Sequence, residues 1–243
     1  MIKKTHFLVM ALIFTCLFLV SSPLKAQQGA TRSDSSSIVC DTLIAWDSID
    51  FCMPKMPGMV EASQLEALQP AIDLVESGMN FIMAYYLPDS VYAHFDMHSM
   101  MGYDKYAVVF AVDALKGLPV GEYELAYFSE AIQAAFDGES WKSISEELEE
   151  SIDNMEFNTP VVAENFSTDK RVKSTVVLMD VSVDNGLGAS KVTVCAIMNV
   201  VLVNSRALIL TYYEKYEGKK SIKVAKDRNE EILNKFLKAN PNK

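Results

Sequence analysis

The chain has 243 residues, of which 50% are hydrophobic, and it carries a formal net charge of -10 at pH 7. This acidic surplus disfavours nucleic acid as a partner, because phosphate contacts require a basic surface. The length is sufficient for one large domain or two small ones.

The first 26 residues have the pattern of a secretory signal peptide. Lys3 and Lys4 form a positive start, residues 7–20 form an apolar run, and Ala26 provides a small residue for cleavage. The apolar run is shorter than the ~20 residues that a helix needs to span a bilayer. The pattern therefore predicts export to the periplasm or the exterior, with no membrane span in the mature chain.

Two other interpretations of this segment, a lipid-modified N-terminus and an uncleaved membrane anchor, are disfavoured. Lipid attachment at Cys16 is disfavoured, because the bulky Phe14 and Thr15 precede it and it lies in the middle of the apolar run. An uncleaved anchor is disfavoured by Pro23 and Ala26, which are typical of a cleavage region.

The remainder is expected to contain a disordered polar leader over residues 27–40 and a single α+β domain over residues 41–243. Three cysteines remain after processing. Cys40 and Cys52 are close in sequence, and in an oxidising compartment we expect them to form a disulfide. Cys195 lies in an apolar run, which predicts a buried free thiol.

Hydrophobic periodicity predicts the regular elements of the first two thirds of the chain. Pro70 is expected to kink or split the first helix. In chain order we expect a strand at Ser48–Met53, a helix from Ser63 to about Ser77, strands at Asn80–Leu87 and Lys105–Val112 with a strand-like stretch at Ser90–His98 between them, and two helices at Glu122–Phe136 and Ser140–Met155.

The last third contains the strongest strand signals. Three β-branched and aromatic runs, joined by short turn-forming segments, predict an antiparallel meander of Val172–Asp184, Ser190–Val203 and Arg206–Tyr216. The middle run is apolar on both faces, so we expect it to be central and covered on two sides. An amphipathic helix at Ser221–Leu237 follows.

These elements predict an α+β fold, in which an antiparallel sheet with a C-terminal three-stranded meander is covered by helices on both faces. The order of elements, beginning with the strand and Pro-rich turn at Ile49–Pro54 and ending with the meander and helix, resembles the PsbP/DcrB-like α/β/α sandwich of secreted bacterial proteins. The resemblance extends over about Asp41–Leu237 and concerns element order alone. It implies a single domain with an accessory or binding role.

One short segment has the spacing of a metal site. His94, Asp96 and His98 alternate, so on a strand their side chains would share one face and offer imidazole and carboxylate ligands to zinc or copper. Met97, Met100 and Met101 lie within this segment and just after it, and they add sulfur donors that copper(I) favours. The alternative is that two surface histidines flank an aspartate without binding a metal.

No pattern of a nucleophilic enzyme is present, since the chain lacks a Gly-x-Ser-x-Gly elbow and the only histidines after residue 26 are His94 and His98. The sequence therefore predicts a non-catalytic binding or accessory protein of the bacterial envelope or exterior, with a protein or an apolar ligand as its partner. A metal-binding protein is the second hypothesis, and an unrecognised hydrolase is the third.

Overall fold

The structure is a computed structural model that describes residues 40–76, 80–93, 105–135, 160–184 and 189–242. These ranges contain nine strands. They are β1 (Cys40–Trp46), β2 (Ile49–Pro54), β3 (Met59–Glu61), β4 (Asn80–Pro88), β5 (Lys105–Val112), β6 (Val161–Phe166), β7 (Val172–Asp184), β8 (Ala189–Val203) and β9 (Arg206–Lys215).

Helices are fewer. Three exceed a single turn, namely α1 (Gln69–Glu76), α3 (Glu122–Ala135) and α4 (Lys219–Ala239), and α2 (Asp89–Tyr92) has one turn. Short 3-10 helices cover Glu66–Leu68 and Asp113–Leu115. No helix within the described ranges is long and apolar enough to cross a membrane.

Seven strands form one antiparallel sheet in the order β3-β4-β5-β9-β8-β7-β6. The three strands predicted in the last third are present, and β8 pairs with β7 and β9 on its two sides. Asn204 and Ser205 connect β8 to β9 with φ values of 48° and 58°. Two left-handed residues match the right-handed twist of the flanking strands, which explains this tight hairpin.

A separate hairpin consists of β1 and β2. Its turn residues, Asp47 and Ser48, also have positive φ values of 51° and 61°. The Asp47 carboxylate accepts a hydrogen bond from the backbone N–H of Gly117 at 2.7 Å and forms an ion pair with Arg206. The hairpin turn is thereby attached to the end of the sheet where β9 begins.

The hairpin and α4 cover one face of the sheet, which we call the first face. Trp46, Phe51 and Met53 of the hairpin belong to the same buried cluster as Leu233 and Phe236 of α4. The sheet residues of this cluster are Met59, Met83, Ala84, Tyr86, Ala107, Val109, Ala111, Val172, Val176, Leu178, Cys195, Ile197, Val201, Val203, Leu208, Leu210 and Tyr212. Alternation along each strand accounts for this arrangement, except at the irregular pairing between Ile82 and Ala84, where the adjacent Met83 and Ala84 both join the cluster.

The opposite side, which we call the second face, contacts shorter helical segments. Leu68 and Ile72 pack against it near β4, and Leu125 of α3 packs over β7 and β8. Both faces of β8 are therefore buried, as its apolar composition predicts.

The predicted fold class is wrong. The described chain is mostly β, and it is not a sheet covered by helices on both faces: a β hairpin shares the first face with one helix, and tyrosines remain partly exposed on the second face. Part of the error lies at the start of the domain. The sequence pattern predicted no strand for residues 40–46, but these residues form β1 and pair with β2.

Helix lengths account for the rest of the difference. The helix expected from Ser63 begins only at Gln69, because the Ser63 side chain bonds to Glu61 and does not cap a helix. Pro70 therefore occupies the first turn, where proline is tolerated, and does not kink an interior. The stretch expected to be extended from Ser90 begins as the single turn α2, and the expected helix Ser140–Met155 lies outside the described residues.

Candidate functional site

Three tyrosines lie side by side on the second face, one on each of three neighbouring strands. Tyr85 belongs to β4, Tyr106 to β5 and Tyr213 to β9. The ring centroids of Tyr85 and Tyr106 are 5.5 Å apart with 3° between the ring planes. Those of Tyr106 and Tyr213 are 4.4 Å apart with 13° between the planes. We call these three residues the tyrosine row.

Strand register creates the row. Tyr106 and Tyr213 are directly opposite in the pairing of β5 with β9. Tyr85 is opposite Val108 in the pairing of β4 with β5, so it is the diagonal neighbour of Tyr106. Aromatic side chains at opposite and diagonal positions are within reach of each other, and the central ring therefore stacks with both neighbours.

The next two strands continue this partly exposed apolar surface. Met198 on β8 and Met179 on β7 are half-buried and pack with the same cluster as the three tyrosines. We call the tyrosine row together with these two methionines the tyrosine face. Flat aromatic rings beside flexible thioethers form a surface that adapts to differently shaped apolar groups.

The phenol groups of Tyr106 and Tyr213 are uncharged at neutral pH. Burial, with a smaller effect of Tyr213 and Tyr85, raises the pKa of Tyr106 well above its usual value. Burial also raises the pKa of Tyr213 to about 12. Tyr106 and Tyr213 therefore contribute ring edges and neutral hydroxyl groups to the tyrosine face, and neither supplies a phenolate that would act as a base near pH ~7.

An ion pair on the first face joins α4 to the end of β9 that carries Tyr213. Glu214, the residue after Tyr213, accepts a hydrogen bond from the Tyr212 hydroxyl at 3.0 Å. Its second carboxylate oxygen pairs with Arg228 of α4. These contacts join β9 to the helix behind it and fix the strand that carries Tyr213.

The predicted metal ligands His94, Asp96 and His98 lie outside the described residues. Within the part of the chain that the structure describes, no group of three or more His, Cys, Asp or Glu side chains is arranged to hold a metal ion. Zinc or copper binding by the 94–98 segment stays a prediction.

Cys40 and Cys52 form a disulfide, with their Cα atoms 5.5 Å apart. It links the first residue of β1 to β2. Cys195 is a buried free cysteine on the first face. Burial, followed by the nearby Glu214 carboxylate, raises the pKa of the Cys195 thiol to about 12, so the thiolate is scarce at neutral pH.

Sequence reasoning missed the tyrosine row, although its components are visible in the sequence. Tyr85, Tyr106 and Tyr213 each lie in a segment predicted as a strand. Their proximity depends on the pairing of β5 with β9, two strands that are distant in sequence. No local pattern specifies such a pairing.

No protein-family model matches the chain, and no curated protein matches it.

Proposed function

We propose that this chain is an exported, non-catalytic binding protein, and that an apolar ligand with a planar ring binds on its tyrosine face. The observation that carries the proposal is the tyrosine row, in which Tyr106 stacks with a ring on each side while all three residues are half-buried and not fully covered. The signal-peptide pattern of residues 1–26 supports the exported location.

The chemistry of the face favours a neutral, flat ligand. Aromatic pairs contribute about 0.5–1.5 kcal/mol beyond the burial of their area. Because the faces of the Tyr106 ring are covered by its neighbours, a ligand ring laid across the row would gain edge-to-face contacts of this kind. The row is already ordered by stacking and strand pairing, so binding requires little further loss of side-chain freedom. Met179 and Met198 supply the adaptable part of the surface.

A dye titration tests the proposal. Nile red, which is neutral, planar and fluorescent in apolar surroundings, is titrated into the purified protein. We expect Tyr106→Leu and Tyr213→Leu to weaken dye binding by about tenfold or more, equivalent to about 1.4 kcal/mol. Tyr123→Leu is the matched control, because that tyrosine is exposed on α3.

Circular dichroism and a thermal melt of each variant separate loss of the site from loss of the fold. Equal dye affinity in the parent and in both folded row variants would reject the tyrosine face as a binding surface. The exported location has its own test, since the intact mass of the secreted protein is expected to correspond to a chain that starts at Gln27.

A further inference from the structure

The outer side of α3 and the loop before it form an exposed aromatic surface with acidic surroundings. Tyr123 and Tyr127, one helical turn apart, are 82% and 46% exposed, and Leu118 is 49% exposed. We call these three residues the aromatic surface. The charged residues of α3 are all acidic: Glu122, Glu124 and Glu130.

The start of α4 has the opposite character. Lys220 and Lys223 are exposed beside Val224, which is 42% exposed, and Lys223 forms an exposed ion pair with Asp227 one turn further along α4. We call these three residues the basic surface. The first turn of α4 contains no acidic residue, so the partial positive charge of the helix N-terminus adds to that of the lysines.

Exposed apolar side chains are concentrated at these two places. Among the described residues, six large hydrophobic side chains are exposed, and four of them belong to the aromatic and basic surfaces; the other two are Leu43 and Tyr92. Exposed apolar groups that cluster beside charges are typical of protein interfaces, where tyrosines often contribute most of the binding energy.

We propose that the aromatic surface of one copy of this chain binds the basic surface of a second copy. The two surfaces cannot meet within one molecule, because Leu125 anchors α3 on the second face of the sheet and Ala225 anchors α4 on the first. Glu122 pairs with Lys170 of the same molecule, so Glu124 and Glu130 are the carboxylates of α3 that complement the lysines of α4. The tyrosine rings can lie along the aliphatic stems of the lysines.

The contact joins two different surfaces, so it is heterologous. Each copy that binds through one surface leaves the other free on the opposite side of its sheet. Such contacts add further copies head to tail and form open chains when the rotation between copies does not close a ring. This association is independent of the tyrosine face and of any ligand there.

Sedimentation velocity of the purified protein over a range of concentrations tests the proposal. The parent is expected to form species larger than a dimer as concentration rises, and added salt is expected to reduce them because the charges are solvent-exposed. Tyr123→Ser with Tyr127→Ser, and separately Lys220→Glu with Lys223→Glu, are each expected to weaken association by about tenfold or more. Leu43→Ser with Tyr92→Ser, exposed residues elsewhere, is the matched control and should associate like the parent.

Mixing the two defective variants gives the sharpest result. The tyrosine variant retains the basic surface and the lysine variant retains the aromatic surface, so together they should form a one-to-one dimer that does not grow. A parent that stays monomeric at every concentration overturns the proposal, and so does a mixture that remains monomeric although the parent associates. Unchanged association in the tyrosine variant or in the lysine variant also overturns it.

Discussion

The side-chain amide of Asn240 forms hydrogen bonds with both backbone groups of Cys52. The N–H of Cys52 donates to Asn240 Oδ1 at 2.8 Å, and Asn240 Nδ2 donates to the carbonyl of Cys52 at 2.7 Å. Nδ2 also donates to the carbonyl of Phe236 at 3.0 Å. One buried amide at the end of α4 therefore satisfies the edge of β2, as a neighbouring strand would.

We expect Asn240→Ala to lower the free energy of unfolding by about 1–3 kcal/mol, because it leaves both buried backbone groups of Cys52 without partners. Urea denaturation followed by circular dichroism measures the change. Asn242→Ala is the control, since its side chain accepts a single hydrogen bond at an exposed position and should change stability by less than about 0.5 kcal/mol. Equal losses in the two variants would contradict this role for Asn240.

A second buried polar pair joins α4 to the centre of the sheet. Asn199 Nδ2 donates to Asn229 Oδ1 at 2.8 Å, and Asn199 Oδ1 accepts a hydrogen bond from the Ser174 hydroxyl at 2.8 Å. We expect Asn199→Ala and Asn229→Ala to be non-additive, with a coupling energy of about 0.5–3 kcal/mol.

Urea denaturation of the parent, the two single variants and the double variant measures this coupling. A second cycle of Asn229→Ala with Asn242→Ala is the control, because those side chains bond to different partners. Additive losses in the first cycle would show that Asn199 and Asn229 act separately.

The disulfide should contribute measurably to stability. Its two cysteines are separated by 12 positions, and on the chain-entropy model closing a loop of this size is worth about 2–3 kcal/mol. We expect Cys40→Ser with Cys52→Ser to lose about this much, and reductant to lower the stability of the parent but not that of the variant. Peptide mapping without reductant is the direct measurement, and a bridge from either cysteine to Cys195 would refute the pairing.

Cys195 should resist alkylation in the folded protein. It is buried, and its pKa of about 12 leaves little thiolate at neutral pH. Iodoacetamide treatment followed by peptide mapping is expected to find Cys195 unmodified in native protein and modified in urea. Rapid modification under native conditions would mean that this part of β8 opens.

Stability should decline at high pH because of the tyrosine row. The folded pKa of Tyr213, about 12, exceeds the ordinary value of 10.0, so its stabilising effect is complete below pH 10 and is lost as pH rises through 12. A pKa difference of about 2 corresponds to a loss attributable to Tyr213 of about 3 kcal/mol between these values. We expect Tyr213→Phe to lose less stability than the parent over this range, as measured by urea midpoints. Identical pH profiles would show that the Tyr213 phenol ionises freely in the folded state.

The sequence predicted those strands whose own residues carry the signal. The runs beginning at Val172 and Arg206 were predicted from β-branched and aromatic residues, and the structure contains both strands from those residues onward. The C-terminal helix, expected over Ser221–Leu237, extends two residues further at each end.

The sequence did not predict features that depend on distant partners. Strand β1 has mostly exposed residues, including Leu43, so no alternating apolar pattern marks it and its formation depends on pairing with β2. The amide of Asn240 forms hydrogen bonds with the backbone of Cys52 in β2, which is 188 positions away in sequence. The tyrosine row requires β5 to lie beside β9. Local periodicity contains no information on these contacts, which arise only when the sheet assembles.

The pairing of Lys105 with Glu214 has a consequence for the order of folding. Strands β3, β4 and β5 can pair with each other early, but β5 keeps an open edge until β9 has been synthesised. Because β9 begins at Arg206, the pairing of β5 with β9 can form only after residues 113–205 have been synthesised. Until then, a nascent chain should keep one edge of β5 unpaired.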